Sequence, residues 1–213
     1  MTIAFAVISF IIFIYSIILH EIAHGWIAER LGDPTARISG RLTLNPFSHI
    51  DPLMSIFLPL FLVLSHSPFI IGAAKPVPID PYNLRKPEKD MGLIGLAGPA
   101  TNLLLALLFA GLAHLLSGNA ALVFLPLLAN ATLLNIVLAI FNLIPIPPLD
   151  GGRVLVALLP HRFGEALMSL ENFGIFIVLF LFLFPNPLFS LQGIIFRLTS
   201  LIFSLIFPGF SLT

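Results

Sequence analysis

Long apolar runs separated by short polar segments dominate this chain. A helix needs about 20 mostly apolar residues to cross the hydrocarbon core of a bilayer. Five runs come close to or exceed this length and read as strong helices: 3–30, 91–116, 120–144, 167–184 and 188–207. The pattern therefore predicts an all-α polytopic membrane protein with about five transmembrane helices.

Two further segments interrupt this simple plan. Residues 53–71 are apolar, but Pro59 and Pro68 weaken a straight spanning helix, so a re-entrant or partly inserted segment is expected there. Weak alternation over residues 36–44 adds a short β-hairpin to the expectation. We expect a single membrane-embedded domain, 1–213, with a catalytic core over about 3–160 and a C-terminal helical hairpin over about 167–207.

Composition agrees with a membrane location. The chain is 58% hydrophobic and 9% charged, whereas a soluble domain carries about 25% charged residues. Ten basic residues balance ten acidic ones, so nothing indicates nucleic acid as a partner. The bilayer itself is the expected partner.

The distribution of basic residues predicts an orientation. If residues 53–71 do not cross the membrane, nine of the ten lie on one side, and the turns at 117–119 and 185–187 lie on the other. The positive-inside rule makes the basic side cytoplasmic. We therefore expect a multi-pass membrane protein whose basic segments face the cytoplasm. The nine residues are Arg30, Arg37, Arg41, Lys75, Arg85, Lys86, Lys89, Arg153 and Arg162.

The first apolar run contains His20-Glu21-Ile22-Ala23-His24. Histidines four residues apart lie on one face of a helix and can bind one metal ion, and the glutamate can act on a water molecule there. The chain has no cysteine, so the ligands must be His, Asp or Glu. Charged groups in lipid are costly and therefore usually functional. The motif predicts a zinc-dependent hydrolase working within the bilayer.

Asp150 is the best candidate for a third ligand. A catalytic zinc site usually has three protein ligands and one open position. Asp150 follows an apolar helix and a proline break, and it returns to the side of His24 only if residues 53–71 do not cross. The alternative is that Asp150 caps the helix that follows Gly151.

Four motifs carry a resemblance to a known family. They are His20–His24, Asn142–Gly151 with its prolines and Asp-Gly pair, Gly98–Asn102, and Leu44–Pro52 together with Ala74–Pro78. Together these motifs are spread over residues 20–153. With them, the chain resembles the site-2 protease family of intramembrane zinc metalloproteases, in its short prokaryotic branch.

The resemblance implies an activity and a set of roles. One zinc ion per chain is expected on His20, His24 and Asp150, with Glu21 as the general base. The substrate would be a transmembrane protein, cut in or near its membrane-spanning segment. Asn102 and Asn142 are expected to hold the extended substrate backbone or the developing oxyanion. The implied location is a prokaryotic plasma membrane, with the active site toward the cytoplasm.

Alternatives remain open at several of these positions. Asn102 is also compatible with a helix–helix hydrogen bond, because Gly98 and Ala100 are small, and Asn142 with carbonyl groups freed by the following prolines. His49 is expected to have a surface or capping role, and Arg153 to anchor at the membrane interface.

Two other functions compete with proteolysis. One is a membrane metal-binding or metal-transport protein, and the other is an inactive relative that acts as a scaffold. Transporters usually place their sites between internal repeats. No repeat is visible here, and the candidate ligands concentrate at one place.

Overall fold

The computed structural model describes residues 3–65, 74–184 and 190–207. No strand occurs among these residues, so the expected all-α class is confirmed. The helices are α1 (Ile3–Leu31), α2 (Thr35–Ile38), α3 (Leu58–Leu64), α4 (Pro87–His114), α5 (Gly118–Asn142), α6 (Asp150–Leu158), α7 (His161–Met168), α8 (Glu171–Leu183) and α9 (Leu191–Ile206).

Within the described residues, three helices are long and apolar enough to span a membrane: α1, α4 and residues Ala121–Asn142 of α5. They correspond to the first three strong helices expected from the apolar runs. The remaining two, α8 and α9, have 13 and 16 residues. The structure therefore confirms three long apolar helices rather than the expected five.

Helix α4 lies against both α1 and α5 and forms the centre of the bundle. Small residues allow this close approach. Away from the histidine motif, a core cluster consists of four alanines, one isoleucine and two phenylalanines, which are Ala106, Ala110 and Ala113 of α4, Ala129 and Ile136 of α5, and Phe203 and Phe207 near the end of α9. Near the motif, Ala28 of α1 and Ile94 of α4 pack with Leu84.

The direction of α9 differs from the expected C-terminal hairpin. Leu191, at its start, packs with Ile144, which follows the end of α5. At its other end, the ring of Phe207 lies 5.6 Å from that of His114, the last residue of α4. Helix α9 therefore begins at the end of the bundle that carries Asp150. The expected turn at 185–187 lies outside the described residues.

The short β-hairpin expected near residues 36–44 is absent from the described structure. Thr35–Ile38 forms a helical turn instead. The Asp33 carboxylate accepts a hydrogen bond from the Thr35 backbone N–H at 3.1 Å. This bond satisfies a free N–H at the start of the turn and favours the helical path over an extended one.

Residues Pro52–Phe57 form a π-helical stretch that continues into α3. The combined segment, Pro52–Leu64, has 13 residues, about 20 Å at the rise of an α-helix and shorter than a hydrocarbon core. Its large apolar side chains are mostly exposed. The last part of the expected re-entrant segment, residues 66–71, lies outside the described residues.

Candidate metal centre

His20 and His24 occupy successive turns of α1 and are buried. Their Nε2 atoms lie 3.0 Å apart. Each ring is held from its other nitrogen: His20 Nδ1 lies 2.6 Å from the Asn102 side-chain oxygen, and His24 Nδ1 lies 2.7 Å from the Ile94 carbonyl oxygen. Both partners are acceptors for an N–H on Nδ1, which leaves each Nε2 as the ring nitrogen that can serve as a metal ligand.

Asp150 is the first residue of α6 and reaches the same point. Its Oδ2 atom lies 3.1 Å from His20 Nε2 and 3.3 Å from His24 Nε2. Two glycines permit this turn of the chain. A Cβ on Gly151 would stand 2.2 Å from the Leu143 carbonyl oxygen, and one on Gly152 would stand 2.4 Å from the Pro147 nitrogen.

The three converging atoms fit a metal ion. His20, His24 and Asp150 each offer one ligand atom, and these atoms lie within 4.8 Å of one another. The Asp150 Oδ2 atom is buried and accepts no hydrogen bond from the residues that the structure describes. A carboxylate oxygen and two imidazole nitrogens therefore meet in a buried place, and this donor set fits a metal cation.

Glycine also leaves room for the histidines on the α4 side. A Cβ on Gly98 would stand 2.4 Å from His20 Nε2 and 2.5 Å from His24 Nε2. Gly95, one turn earlier, lies against the Asp150 carbonyl oxygen and the Arg153 side chain. The small face of α4 therefore brings α1 and α6 together at the candidate metal centre.

Glu21 lies beside this centre and is held by the main chain. Its Oε2 atom accepts a hydrogen bond from the Val77 backbone N–H at 2.9 Å. Arg41 supports the same segment by donating to the carbonyl oxygen of Lys75. The buried Asp33 carboxylate accepts from the Asp80 N–H at 2.7 Å. The segment that orients Glu21 is therefore tied down on both sides of Val77.

A cavity of about 130 Å³ opens at these groups. Asn142 and Arg153 contribute to its wall, and the expected substrate-binding role of Asn142 stays a prediction. The Asn142 side-chain N–H also donates to the Leu138 carbonyl oxygen, within its own helix. The remaining lining residues are His20, Glu21, His24, Pro76, Val77, Ile79, Pro148, Leu149 and Asp150.

Asn102 does not line this cavity and is fully buried. Its amide nitrogen donates to the Asn135 side-chain oxygen at 3.0 Å, while its oxygen faces His20. Asn135 in turn donates to the Ser16 hydroxyl at 3.0 Å. The expected contact of Asn102 with substrate stays a prediction, and its contacts favour a role in orienting His20.

Sequence reasoning missed Asn135, Ser16 and the Val77 N–H. It also did not assign Arg153 to the cavity that this residue lines, and the expected anchoring of Arg153 at the membrane interface stays a prediction. His49, for which a surface or capping role was expected, is buried, and its Nε2 donates to the Thr43 carbonyl oxygen at 2.8 Å. A useful signal was present for Arg153, because a residue three positions after Asp150 lies on the same helix face.

A buried His–His–Asp set with an adjacent glutamate, inside an apolar helix bundle, is typical of a membrane-embedded metallohydrolase. Comparison with known proteins points the same way. Residues 111–185 match Peptidase family M50. This range includes Asn142 and Asp150 and lies beyond the histidine motif.

Several relatives extend the likeness over most of the chain. "Putative zinc metalloprotease YwhC" of Bacillus subtilis is 36% identical over 188 residues, which cover 83% of this chain and 80% of the relative. "Putative zinc metalloprotease Rip2" of Mycolicibacterium smegmatis is 34% identical, covering 80% and 64%. "Zinc metalloprotease MJ0392" of Methanocaldococcus jannaschii is 26% identical, covering 84% and 43%. No solved structure matches the chain significantly.

The chain belongs to peptidase family M50, the site-2 protease family. It is a zinc metalloprotease of the intramembrane type. A metal-transport function is not favoured by these relatives.

Proposed function

We propose that this protease cuts membrane-protein substrates in or near their transmembrane segments, with His20, His24 and Asp150 as the zinc ligands and Glu21 as the general base. One observation carries the assignment of roles: three buried ligand atoms converge beside a glutamate that the main chain holds in place. Zinc bound there supplies Lewis-acid chemistry, since it lowers the pKa of water and polarises the scissile carbonyl group.

The other side chains around the site have separate roles in this proposal. The Glu21 carboxylate takes a proton from the attacking water and delivers it to the nitrogen of the leaving amine. Asn142, in the cavity wall, offers hydrogen bonds to the backbone of an extended substrate. Asn102 keeps the His20 ring in the tautomer that leaves Nε2 free. Since a helix protects its own peptide bonds, the substrate must unwind locally before cleavage.

The proposed topology places this chemistry toward the cytoplasm. Helix α1 runs toward the basic end, α4 leaves it and α5 returns, so that Asp150 meets His24. The observed contact between α1 and α6 supports this arrangement. The short helical segment Pro52–Leu64 supports partial insertion of this region. We propose a single membrane-embedded domain in which the described helices enclose one site.

Metal analysis and a cleavage assay test these roles together. Wild-type protein should contain about one zinc per chain, and His20→Ala and His24→Ala should lose it. Glu21→Gln should keep zinc but cut a model single-pass substrate at least about 10²-fold more slowly. Stoichiometric zinc in both histidine variants would refute the ligand assignment. Near-normal cleavage by Glu21→Gln would exclude Glu21 as the base.

A further inference from the structure

Arg153 lines the cavity at the candidate metal centre. It lies three residues after Asp150 in α6, on the same face of the helix. Its Cβ is 3.2 Å from the point where a Cβ on Gly95 would stand, so its stem lies between α6 and α4. The side chain is half-buried and lines the cavity together with Glu21.

The Arg153 guanidinium makes no hydrogen bond or ion pair with any residue that the structure describes. Two other arginines have evident partners. Arg37 is paired with Glu29, and Arg41 donates to backbone carbonyl oxygens. These arginines are accounted for by the fold, whereas Arg153 is not.

The charge of the cavity strengthens this contrast. The lining residues carry two carboxylates, those of Glu21 and Asp150. Together these balance the double charge of a zinc ion, while neutral His20 and His24 add nothing. The Arg153 guanidinium is then an excess positive charge in a small, partly buried space. Such a charge is costly unless an anion pairs with it.

We propose that Arg153 binds a carboxylate of the substrate and thereby determines specificity. The carboxylate is either an acidic side chain close to the scissile bond or the new C-terminus that hydrolysis creates. The guanidinium fork matches both oxygens of a carboxylate. This proposal rests on the proposed function, because the same cavity must receive the peptide.

Paired substrates test the first source of the carboxylate. A model single-pass substrate is prepared with Asp, or with nearly isosteric Asn, at successive positions on each side of the cleavage site. For the best position, wild-type enzyme should prefer Asp by about 10- to 100-fold in kcat/KM, the usual range for a charge-assisted hydrogen bond. Arg153→Gln should reduce this preference to within about twofold.

Product inhibition tests the second source. The N-terminal cleavage product is added either with a free C-terminal carboxylate or as the carboxamide. If Arg153 binds the new terminus, the acid should inhibit wild-type enzyme about 10-fold more strongly than the amide, and Arg153→Gln should lose this difference. If Arg153→Gln loses the discrimination of the wild-type enzyme in either assay, the proposal is supported, and that assay identifies the source of the carboxylate.

Controls separate the proposal from general damage. Arg153→Gln should retain its zinc by metal analysis, and Arg162→Gln, which changes an exposed arginine of α7, should discriminate as wild type does. Arg153→Lys keeps the positive charge but loses the planar guanidinium that binds both carboxylate oxygens. Its discrimination should therefore lie between that of wild type and that of Arg153→Gln. Equal treatment of Asp and Asn substrates, and of acid and amide products, by wild-type enzyme would overturn the proposal without any variant. A wild-type enzyme that cuts none of the substrates would overturn the proposed function as well.

Discussion

Gly98 lies so close to His20 that a methyl group on its α-carbon would stand 2.4 Å from the His20 Nε2 atom. The ring cannot swing away, because the Asn102 side chain holds its other nitrogen. Gly98→Ala should therefore abolish zinc binding and proteolysis, although alanine favours a helix by about 1 kcal/mol relative to glycine.

A matched control lies on the same helix. A Cβ on Gly111 of α4 would meet nothing within 4 Å. Gly111→Ala should leave the zinc content and cleavage rate unchanged, as measured by metal analysis and a cleavage assay on the same preparation. Zinc-loaded, active Gly98→Ala protein would show that the histidines have more freedom than their contacts indicate.

The hydrogen-bond chain behind His20 predicts a change in metal affinity. Asn102→Ala should weaken zinc binding by about 10- to 100-fold, since a residue that orients a metal ligand typically contributes that much. Asn135→Ala should have a smaller effect, because Asn135 contacts Asn102 and not His20. Competition with a chelator of known affinity measures both.

Thr132→Val provides the control for loss of a buried polar group. Thr132 is fully buried on α5, but its hydroxyl bonds only the Leu128 carbonyl oxygen of its own helix. The zinc affinity of the Thr132→Val variant should match that of wild type. If Asn102→Ala also binds zinc as tightly as wild type, Asn102 does not position His20.

Asp33 predicts a pH dependence of stability. Burial alone would raise its pKa, but hydrogen bonds from Thr35, Asn83 and the Asp80 N–H lower that pKa overall. The folded-state pKa is thus below the unfolded one, so the stabilisation is complete above the unfolded pKa of about 3.9. It is lost as the pH falls from there through the folded-state pKa.

Thermal unfolding of wild type and Asp33→Asn across a pH series measures this effect. The wild-type advantage in Tm should be constant at neutral and mildly acidic pH and should shrink below about pH 4. The difference between the two proteins isolates Asp33 from the other carboxylates. An advantage that grows on acidification would contradict the lowered pKa.

Single-cysteine labelling tests the topology, and the absence of native cysteine makes it clean. Cysteines at Ser39 and Glu88 should react with an impermeant reagent from the same side, and one at Ser117 from the opposite side. The hydropathy pattern alone predicts that the turn at Asn186 labels with Ser117. The observed start of α9 predicts instead that a cysteine at Ser190 labels with Glu88. Labelling of Ser39 and Glu88 from opposite sides would show that residues 53–71 span the membrane.

Short-range sequence patterns predicted part of the candidate site and the long helices that carry it. The spacing of His20 and His24 follows from helix geometry, and the three long apolar helices follow from their length. Asp150 was identified from a proline break and from the side on which the chain must return. Each of these arguments needs only a short stretch of sequence or the number of times that the chain crosses the membrane.

These sequence patterns could not predict contacts between segments that are far apart in the chain. The Asn102 chain joins side chains from three helices, and Ser16 and Asn135 are 119 residues apart in sequence. The direction of α9 depends on which end of α5 receives Leu191, and hydropathy does not distinguish the two ends. The weak alternation over residues 36–44 predicted strand, but a local hydrogen bond to Asp33 favours a helical turn there.

The contact between Glu21 and Val77 is made by a backbone amide, and this has a consequence for mutagenesis. Every residue except proline supplies the same N–H group, so an alanine scan of the loop would leave the contact intact and overlook it. Side chains at position 77 can vary in size and polarity without releasing the glutamate. Only Val77→Pro, or a change in how the loop is anchored, would reveal that the orientation of the proposed base depends on a neighbouring segment.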